Sequence, residues 1–514
     1  MKPNQQLRHE RELRGWSQAR VAEALGTNAA TVSRWECGYA FPVPHFREKL
    51  CELFARNAEE LGLLQEESAS EYAYHDLNFP IAVNSSGHAL MPAAPQALLD
   101  PAMPSLPAEV ARLSGRDALL YQLKQRLASG GGSALAALGG VPGVGKTALA
   151  LSLAHDQDIR RYFRDGILWV GLGPRPQVLR HLKRWGSLLG IASSEHPAWS
   201  NCAAWAEAIR ATIGPRRMLL VIDDAWRCEE ALAFKIGGAN CGYIVTTRFP
   251  QIALHCAAGS AVFVQELSED DGIALLAQSV PEIVASEPRT AQALVRLVGG
   301  LPLALTLMGR YLRYHAHTQQ PRRVRAAIDR LLDTEVRLQL SEPQPLLGLH
   351  TSLPQGLPIS LQAVIGASEQ YIDEQAQEAL RALAVFPAKP SSFSEEAALA
   401  VCDLPVETFD QLYDAGLLES RGAGRYMLSR TVADYGYVHL RASAAYTPVR
   451  ERMVRYMLDY AVAHARDLDL LDQEACNILA ALRGAYRRGM REELVRGVSA
   501  FAPFLLTRGW YALA

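Results

Sequence analysis

Lysine is scarce in this 514-residue chain: it occurs only at positions 2, 49, 124, 146, 183, 235 and 389, and arginine supplies the rest of the 52 Lys+Arg. Against 54 Asp+Glu the formal net charge is −2, which excludes a uniformly basic protein that coats nucleic acid with its whole surface. One small DNA-reading module diluted by neutral domains stays compatible with that balance. The eight cysteines (37, 51, 202, 228, 241, 256, 402 and 476) form no Cys-x-x-Cys pair. Neither a zinc site nor a disulfide framework is indicated, and isolated thiols in a reducing cytosol are the simplest reading. Uncharged apolar runs of 18 or more residues are lacking, and the N-terminus is polar, so neither a membrane span nor a signal peptide is expected. The expectation is a cytoplasmic protein with no membrane partner. What is present is ordinary globular material, 49% apolar and 21% charged, and the length implies about three to five domains.

Residues 1–64 read as a helix-turn-helix domain of short helices. Residues 65–107, with prolines at 80, 92, 95, 101, 104 and 107, read as an extended linker, or alternatively as an ordered strap across the next domain. Over 108–260 short apolar runs (Ala134–Leu138, Ile167–Val170, Met218–Ile222, Tyr243–Thr246) alternate with amphipathic stretches, which predicts a parallel α/β sheet buried on both faces. Residues 261–350 read as a helical bundle. Residues 351–445 read as helices with a hairpin at Gly422-Ala-Gly424, and 446–514 as helix again. The fold class expected is therefore multidomain, an all-α head followed by an α/β domain and helical domains.

Gly140-Val-Pro-Gly-Val-Gly-Lys-Thr147 fits G-x-x-x-x-G-K-[ST] between an apolar strand and a helix-forming run. Gly140, Gly143 and Gly145 let backbone N–H groups of the loop, from Val141 and Val144 to Ala148, wrap phosphates at a helix N-terminus. Lys146 would reach the β- and γ-phosphates, and the Thr147 hydroxyl would ligate Mg²⁺. The buried run Leu219-Leu-Val-Ile-Asp-Asp224 supplies the acidic partner. Asp223 is the expected magnesium-side ligand and Asp224 the candidate for orienting the attacking water. Gly242-Tyr-Ile-Val-Thr-Thr-Arg248 ends in an arginine that could touch the γ-phosphate; a surface salt bridge is the competing reading.

Taken in order, GGVPGVGKT, LLVIDDAW, IVTTR and Gly299-Gly-Leu-Pro-Leu-Ala-Leu305 resemble the NB-ARC nucleotide switches, STAND-class signal-transduction ATPases that include plant disease-resistance proteins. Leu113-Ser-Gly-Arg-Asp117 resembles that family's entry motif, with Asp117 for the usual Glu. The resemblance spans roughly 110–445. It implies ATP/ADP and Mg²⁺ as cofactors, Leu113 and Arg116 near the nucleotide, Pro302 against the adenine, and a winged-helix domain after the bundle. In the family a Met/Leu-His-Asp motif contacts the β-phosphate of ADP. Here Arg425-Tyr-Met-Leu-Ser-Arg430 puts Ser429 at the histidine, so looser ADP binding is expected. The winged helix itself is expected to be internal packing, since Ser394-Glu-Glu396 would repel phosphate.

Leu13-Arg-Gly-Trp-Ser-Gln18 through Trp35-Glu36 reads as helix, turn, helix, with Ser17 and Thr27 as N-caps and Val21, Leu25, Val32 and Trp35 as core. It resembles the Xre/Cro-like helix-turn-helix family, whose third helix enters the major groove. The resemblance implies Gln18 as a backbone anchor and Asn28, Ala29, Ala30, Ser33 and Arg34 on the reading face. The alanines at best touch a thymine methyl, and Arg34 is the candidate for guanine. Protein–protein contact is the competing role of this bundle. Glu474–Arg483 and Phe501–Trp510 look like opening helices of a TPR-like sensor. The apolar end is expected to be either a cut array or a segment docked on the winged helix.

The function expected is an ATP/ADP-switched transcriptional regulator, at most a slow ATPase, which binds operator DNA and self-associates when a signal at the C-terminal helices drives exchange. The alternative is a defence sensor whose head recruits a partner.

Overall fold

The computed structural model describes most of residues 4–63, then 97–106, 113–128, 134–191, 201–257, 261–317, 320–342, 353, 357–422 and 424–510. Two compact units, Met1–Pro92 and Ala93–Ala514, make up the chain.

The head holds α1 (Gln5–Leu13), α2 (Gln18–Leu25), α3 (Ala29–Glu36) and α4 (Pro44–Phe54). Asn4 caps α1 by accepting from the Leu7 amide, and the Ser17 hydroxyl accepts from the Arg20 amide at the start of α2. Val21, Leu25, Val32 and Trp35 are buried together with Leu7, Leu50, Phe54, Leu61 and Leu63, so the helical spacing in the sequence does mark the core face.

The second unit opens at β1 (Leu98–Leu99), followed by α5 (Asp117–Ala128), β2 (Ala134–Gly139), α6 (Lys146–His155), α7 (Gln157–Tyr162), β3 (Gly166–Gly171), α8 (Val178–Leu188), α9 (Cys202–Ile213), β4 (Met218–Ala225), α10 (Cys228–Leu232), β5 (Gly242–Thr247), α11 (Pro250–Ala257) and β6 (Val262–Phe263). These strands form one parallel sheet in the order β1-β3-β4-β5-β2-β6. The Val/Ile/Leu runs of β3, β4 and β5 are buried along nearly their whole length, as a sheet covered by helices on both faces requires. The phosphate loop leaves the end of β2, inside the sheet, and leads into α6.

One boundary moves. Residues 97–106, placed by the sequence in a linker, include the edge strand β1, paired with β3 at Leu98↔Gly166 and Leu99↔Ile167. Asp100, buried, accepts from the Trp169 amide (2.9 Å), Trp185 Nε1 (3.2 Å) and Arg184 Nη1 (2.6 Å). Prolines hid the strand, because a two-residue edge strand needs few ladder bonds and tolerates flanking prolines. The strap alternative describes this part; the rest of 65–96 lies outside the described residues.

The helical domain runs through α12 (Glu269–Ser279), α13 (Pro281–Ser286), α14 (Pro288–Leu297), α15 (Pro302–Ala316), α16 (Pro321–Leu331) and α17 (Thr334–Gln339), four of them opening on Pro at the first turn. The ribbon β7 (Ser341–Glu342) with β8 (Ile359–Ser360) leads into α18 (Leu361–Glu369), α19 (Glu374–Leu383), β9 (Phe393–Ser394), α20 (Glu395–Cys402), α21 (Glu407–Asp414), β10 (Glu419–Gly422), β11 (Arg425–Met427) and α22 (Arg430–Arg441). Strands β10, β11 and β9 form a three-stranded antiparallel wing. The acidic Ser394-Glu-Glu396 stretch turns out to be a helix start: Ser394 caps α20 and Glu395 accepts from the Tyr426 hydroxyl. Three long helices follow, α23 (Tyr446–Ala463), α24 (Leu468–Arg488) and α25 (Arg491–Thr507). Trp510 meets Phe504 edge-on at 6.0 Å. No helix among the described residues is long and apolar enough to cross a membrane.

Candidate functional site

Positive φ at Gly140, Gly143 and Gly145 gives the phosphate loop its wrapped course. A Cβ at Gly145 (φ +99) would meet nothing within 4 Å, so open space lies over the loop where it enters α6. A Cβ at Gly143 would press Leu303 at 3.1 Å, and the Leu303 amide donates to the Gly143 carbonyl at 3.2 Å. Pro302, first residue of α15, is therefore held against the loop through its neighbour. Lys146 Nζ donates to the carbonyls of Gly140 (2.7 Å) and Val141 (3.0 Å). Burial, with Arg248 nearby, lowers Lys146 to about 7.

Behind the loop, Thr147 Oγ1 donates to Asp223 Oδ1 at 2.8 Å, and the Thr246 hydroxyl donates to the same oxygen at 2.6 Å. Thr246 in turn accepts from the Asp224 amide at 2.8 Å. Burial and the adjacent Asp224 charge push Asp223 up to about 7. The strand's register shifts after Ile222, and Asp224 sits at φ +55, a left-handed position uncommon outside glycine. That local departure turns two successive carboxylates to different tasks, one toward Thr147 and one toward Arg248.

Arg248 is buried, which removes the surface salt-bridge reading. Nη2 lies 3.6 Å from Asp224 Oδ1, and Nη1 donates to Ser368 Oγ (2.6 Å) and the Val364 carbonyl (3.2 Å) of α18. The guanidinium stacks over Trp226 at 4.6 Å, and Trp226, Phe249 and Tyr371 pack ring against ring. Gly416 packs so closely that a Cβ would meet the Arg248 carbonyl at 2.3 Å. The sequence singled out Arg248 but missed Thr246, Trp226 and Ser368; Thr246, near the end of β5 and two residues before Arg248, is the one a motif reading could have found.

Arg116, buried, donates to the Gln265 carbonyl (2.6 Å) and toward the Val144 carbonyl of the phosphate loop (3.4 Å), with half-buried Leu113 packed on the core. Ala148 is half-buried in the first turn of α6. Ser429 precedes α22 as its N-cap residue, buried, and its hydroxyl has no hydrogen-bond partner among the described residues. The following Arg430 packs against Gly299, whose Cβ would lie 3.2 Å away. The structure thus brings the loop, Asp223, Asp224, Arg248, Arg116 and Pro302 together, with Ser429 one residue before Arg430, which packs against Gly299. The open cradle at Gly145, the Lys146 ammonium and the paired Thr147 and Asp223 oxygens fit a nucleoside phosphate with Mg²⁺. Among the described residues no cluster of three His, Cys, Asp or Glu suggests any other metal site.

In the head, Gln18 Nε2 donates to Glu36 Oε2 at 2.8 Å, and buried Glu36 is forked by Arg11 (2.5 and 2.9 Å). Ser33 is half-buried on α3. Asn28 and the side chains of Ala29, Ala30 and Arg34 lie outside the described residues.

A parallel sheet with a glycine-rich loop, a carboxylate-ended strand and a buried arginine reaching a following helical domain defines a P-loop nucleotide-binding protein. Residues 116–284 match the NB-ARC domain and residues 5–64 a helix-turn-helix domain, so the chain carries a helix-turn-helix domain followed by an NB-ARC domain. It is 29% identical over 399 residues to the regulatory protein AfsR of Streptomyces griseus, a match covering 76% of this chain and 38% of that protein. With the AfsR of Streptomyces coelicolor it shares 30% over 349 residues, 64% of this chain and 32% of the relative. The chain thus spans about a third of the length of these regulators. A solved STAND protein with a tetratricopeptide-repeat sensor from Pyrococcus horikoshii aligns over 76% of this chain and 52% of its own at 15% identity and a TM-score of 0.26, too loose to carry weight.

Proposed function

We propose that this chain is the head and switch of a transcriptional regulator whose DNA engagement is set by ATP against ADP. The observation that carries this is Arg248, which ties the Asp224 carboxylate to Ser368 of the winged-helix domain. A group at the phosphate site that competes for Arg248 or Asp224 changes the hold on α18, which is how a nucleotide difference becomes a domain movement. When bound, the nucleotide with Mg²⁺ supplies phosphate charge and an electrophilic γ-phosphorus. Lys146 and the first turn of α6 would hold that charge, Thr147 and Asp223 would hold the metal, and Asp224 would orient water for the slow hydrolysis that resets the switch. Assembly of the ATP form would then give paired heads the avidity that a reading face with two central alanines lacks.

The test is to identify the nucleotide released on denaturing the purified chain and to weigh the native protein with ADP and with ATP. Bound ADP with a larger mass in ATP supports the reading, and no retained or added nucleotide in either state ends it. A band-shift assay on upstream DNA, with and without Arg34→Ala, tests the head. A shift that Arg34→Ala abolishes supports operator reading. Its absence with both proteins assigns the head to a protein partner, as in a defence sensor.

A further inference from the structure

A buried polar cluster joins the wing to the C-terminal helices. Arg425, first residue of β11, has Nη1 2.7 Å from Glu474 Oε1 of α24. Its Nη2 donates to the carbonyls of Ser392 (3.1 Å) and Gln473 (3.3 Å), and its Nε to Ser392 Oγ (3.1 Å). Asn477, one turn on in α24, donates to the Ser392 carbonyl at 2.8 Å and to the other Glu474 oxygen. Glu474 and Asn477 are each 1% exposed, and the Asn477 carbonyl oxygen has no partner among the described residues. Tyr456 and Tyr460 of α23 lie in the field of the Glu474 carboxylate.

Such a pair adds little stability over apolar residues of the same size, because taking two charges out of water costs about what their attraction returns. What it does fix is geometry: the Arg425 ion pair to Glu474 and hydrogen bond to the Gln473 carbonyl are lost when α24 shifts by about an ångström, within the tolerance of a hydrogen bond. The position it fixes is consequential. Strand β11 is paired on both sides, by β10 and β9, so it moves as a stiff unit. From Arg425 the chain runs through β11 and buried Leu428 to Ser429, four residues and about 13 Å away.

We propose that Arg425 is a positioning residue through which the C-terminal helices set the seat of Ser429 and the first turn of α22. Helix α24 grips the start of β11, and β11 delivers that register to the seam beside Gly299. A signal that displaces α24 would release Arg425 and loosen Ser429 without touching the phosphate loop. The nucleotide consequence rests on the switch reading above; the mechanical link does not.

The experiment compares the full chain with Glu474→Gln, which keeps volume and the contact to Asn477 but removes the charge, and with Arg425→Lys, which keeps the charge but loses the guanidinium donors to Ser392 and Gln473. Two readouts are taken: hydrogen exchange of the amides of residues 428–433, and dissociation of a fluorescent ADP analogue. Both variants are expected to speed exchange there about tenfold, the scale of one lost charged contact, and to release the analogue several-fold faster. Unchanged exchange at 428–433 in a folded variant overturns the link. Faster exchange with unchanged ADP release overturns its nucleotide consequence. If the unaltered chain holds no ADP analogue, the switch reading fails, and the exchange readout still decides the link. Should Glu474→Gln fail to fold, Arg425→Lys decides by the same readouts.

Discussion

Lys146 gives donors to two carbonyls of its own loop, and burial lowers its pKa to about 7, a shift that a phosphate charge beside it would oppose. Lys146→Ala removes charge-assisted hydrogen bonds of about 1.5–3 kcal/mol each, and nucleotide affinity should fall by about 100-fold or more in a fluorescence titration. Ser429 is a different case, a buried hydroxyl at a helix start with no hydrogen-bond partner among the described residues. Ser429→His places at this position the residue of the motif it resembles, and the fraction of chain purified with ADP should rise. An unchanged fraction would show that position 429 does not set ADP retention. Glu419 carries a pH dependence. Burial raises its pKa, while Lys389, 2.6 Å away, opposes this and Glu266 on the far side of Lys389 adds to it. The folded state therefore keeps a proton that the unfolded chain gives up, and stability is lost as pH rises from the usual carboxylate range through the raised value. Glu419→Gln removes that loss, so its melting temperature relative to the unaltered chain should climb between pH 5 and pH 8.

Among the elements, the strap at 97–106 illustrates what a local reading cannot see. Its two-residue strand carries almost no periodic signal, and its worth lies in Asp100, which answers groups 69, 84 and 85 residues away. Asp100→Asn breaks the ion pair with Arg184 and turns a donor toward donors, at a cost of about 2–4 kcal/mol. The expected result is a melting transition lower by several degrees with the far-ultraviolet circular dichroism unchanged below it. The long buried runs of β3, β4 and β5 were legible for the opposite reason, since a strand covered on both faces must be apolar throughout. The acidic start of α20 was legible as charge but not as a capped helix turn. Its purpose there is to answer the Ser394 N-cap and Tyr426, both brought in by the wing.

For the second unit as a whole, Arg248 is the residue on which the docking of the winged helix onto the sheet turns. Arg248→Ala would leave Asp224 and Ser368 facing an uncompensated gap and remove the stack on Trp226. We expect a larger radius of gyration by small-angle scattering and faster proteolysis between the sheet and the wing, with the head's own helices unaffected. A compact scattering profile identical to that of the unaltered chain would show that the remaining contacts, Gln251 to Asp414 and Lys389 to Glu266 among them, suffice.

The sequence by itself determined the phosphate loop, the carboxylate strand, the order of domains and the helical core of the head. Each depends on residues adjacent in the chain, whose spacing is imposed by backbone geometry. Tertiary structure alone decided the rest. It placed Arg248 inside a domain seam and not on the surface, made Leu98–Leu99 an edge strand of the sheet, left the Ser429 hydroxyl buried with no partner among the described residues, and set Arg425 against Glu474. These outcomes are settled by which groups share a low-dielectric interior, and partners separated by 49 to 120 residues leave no local pattern to read.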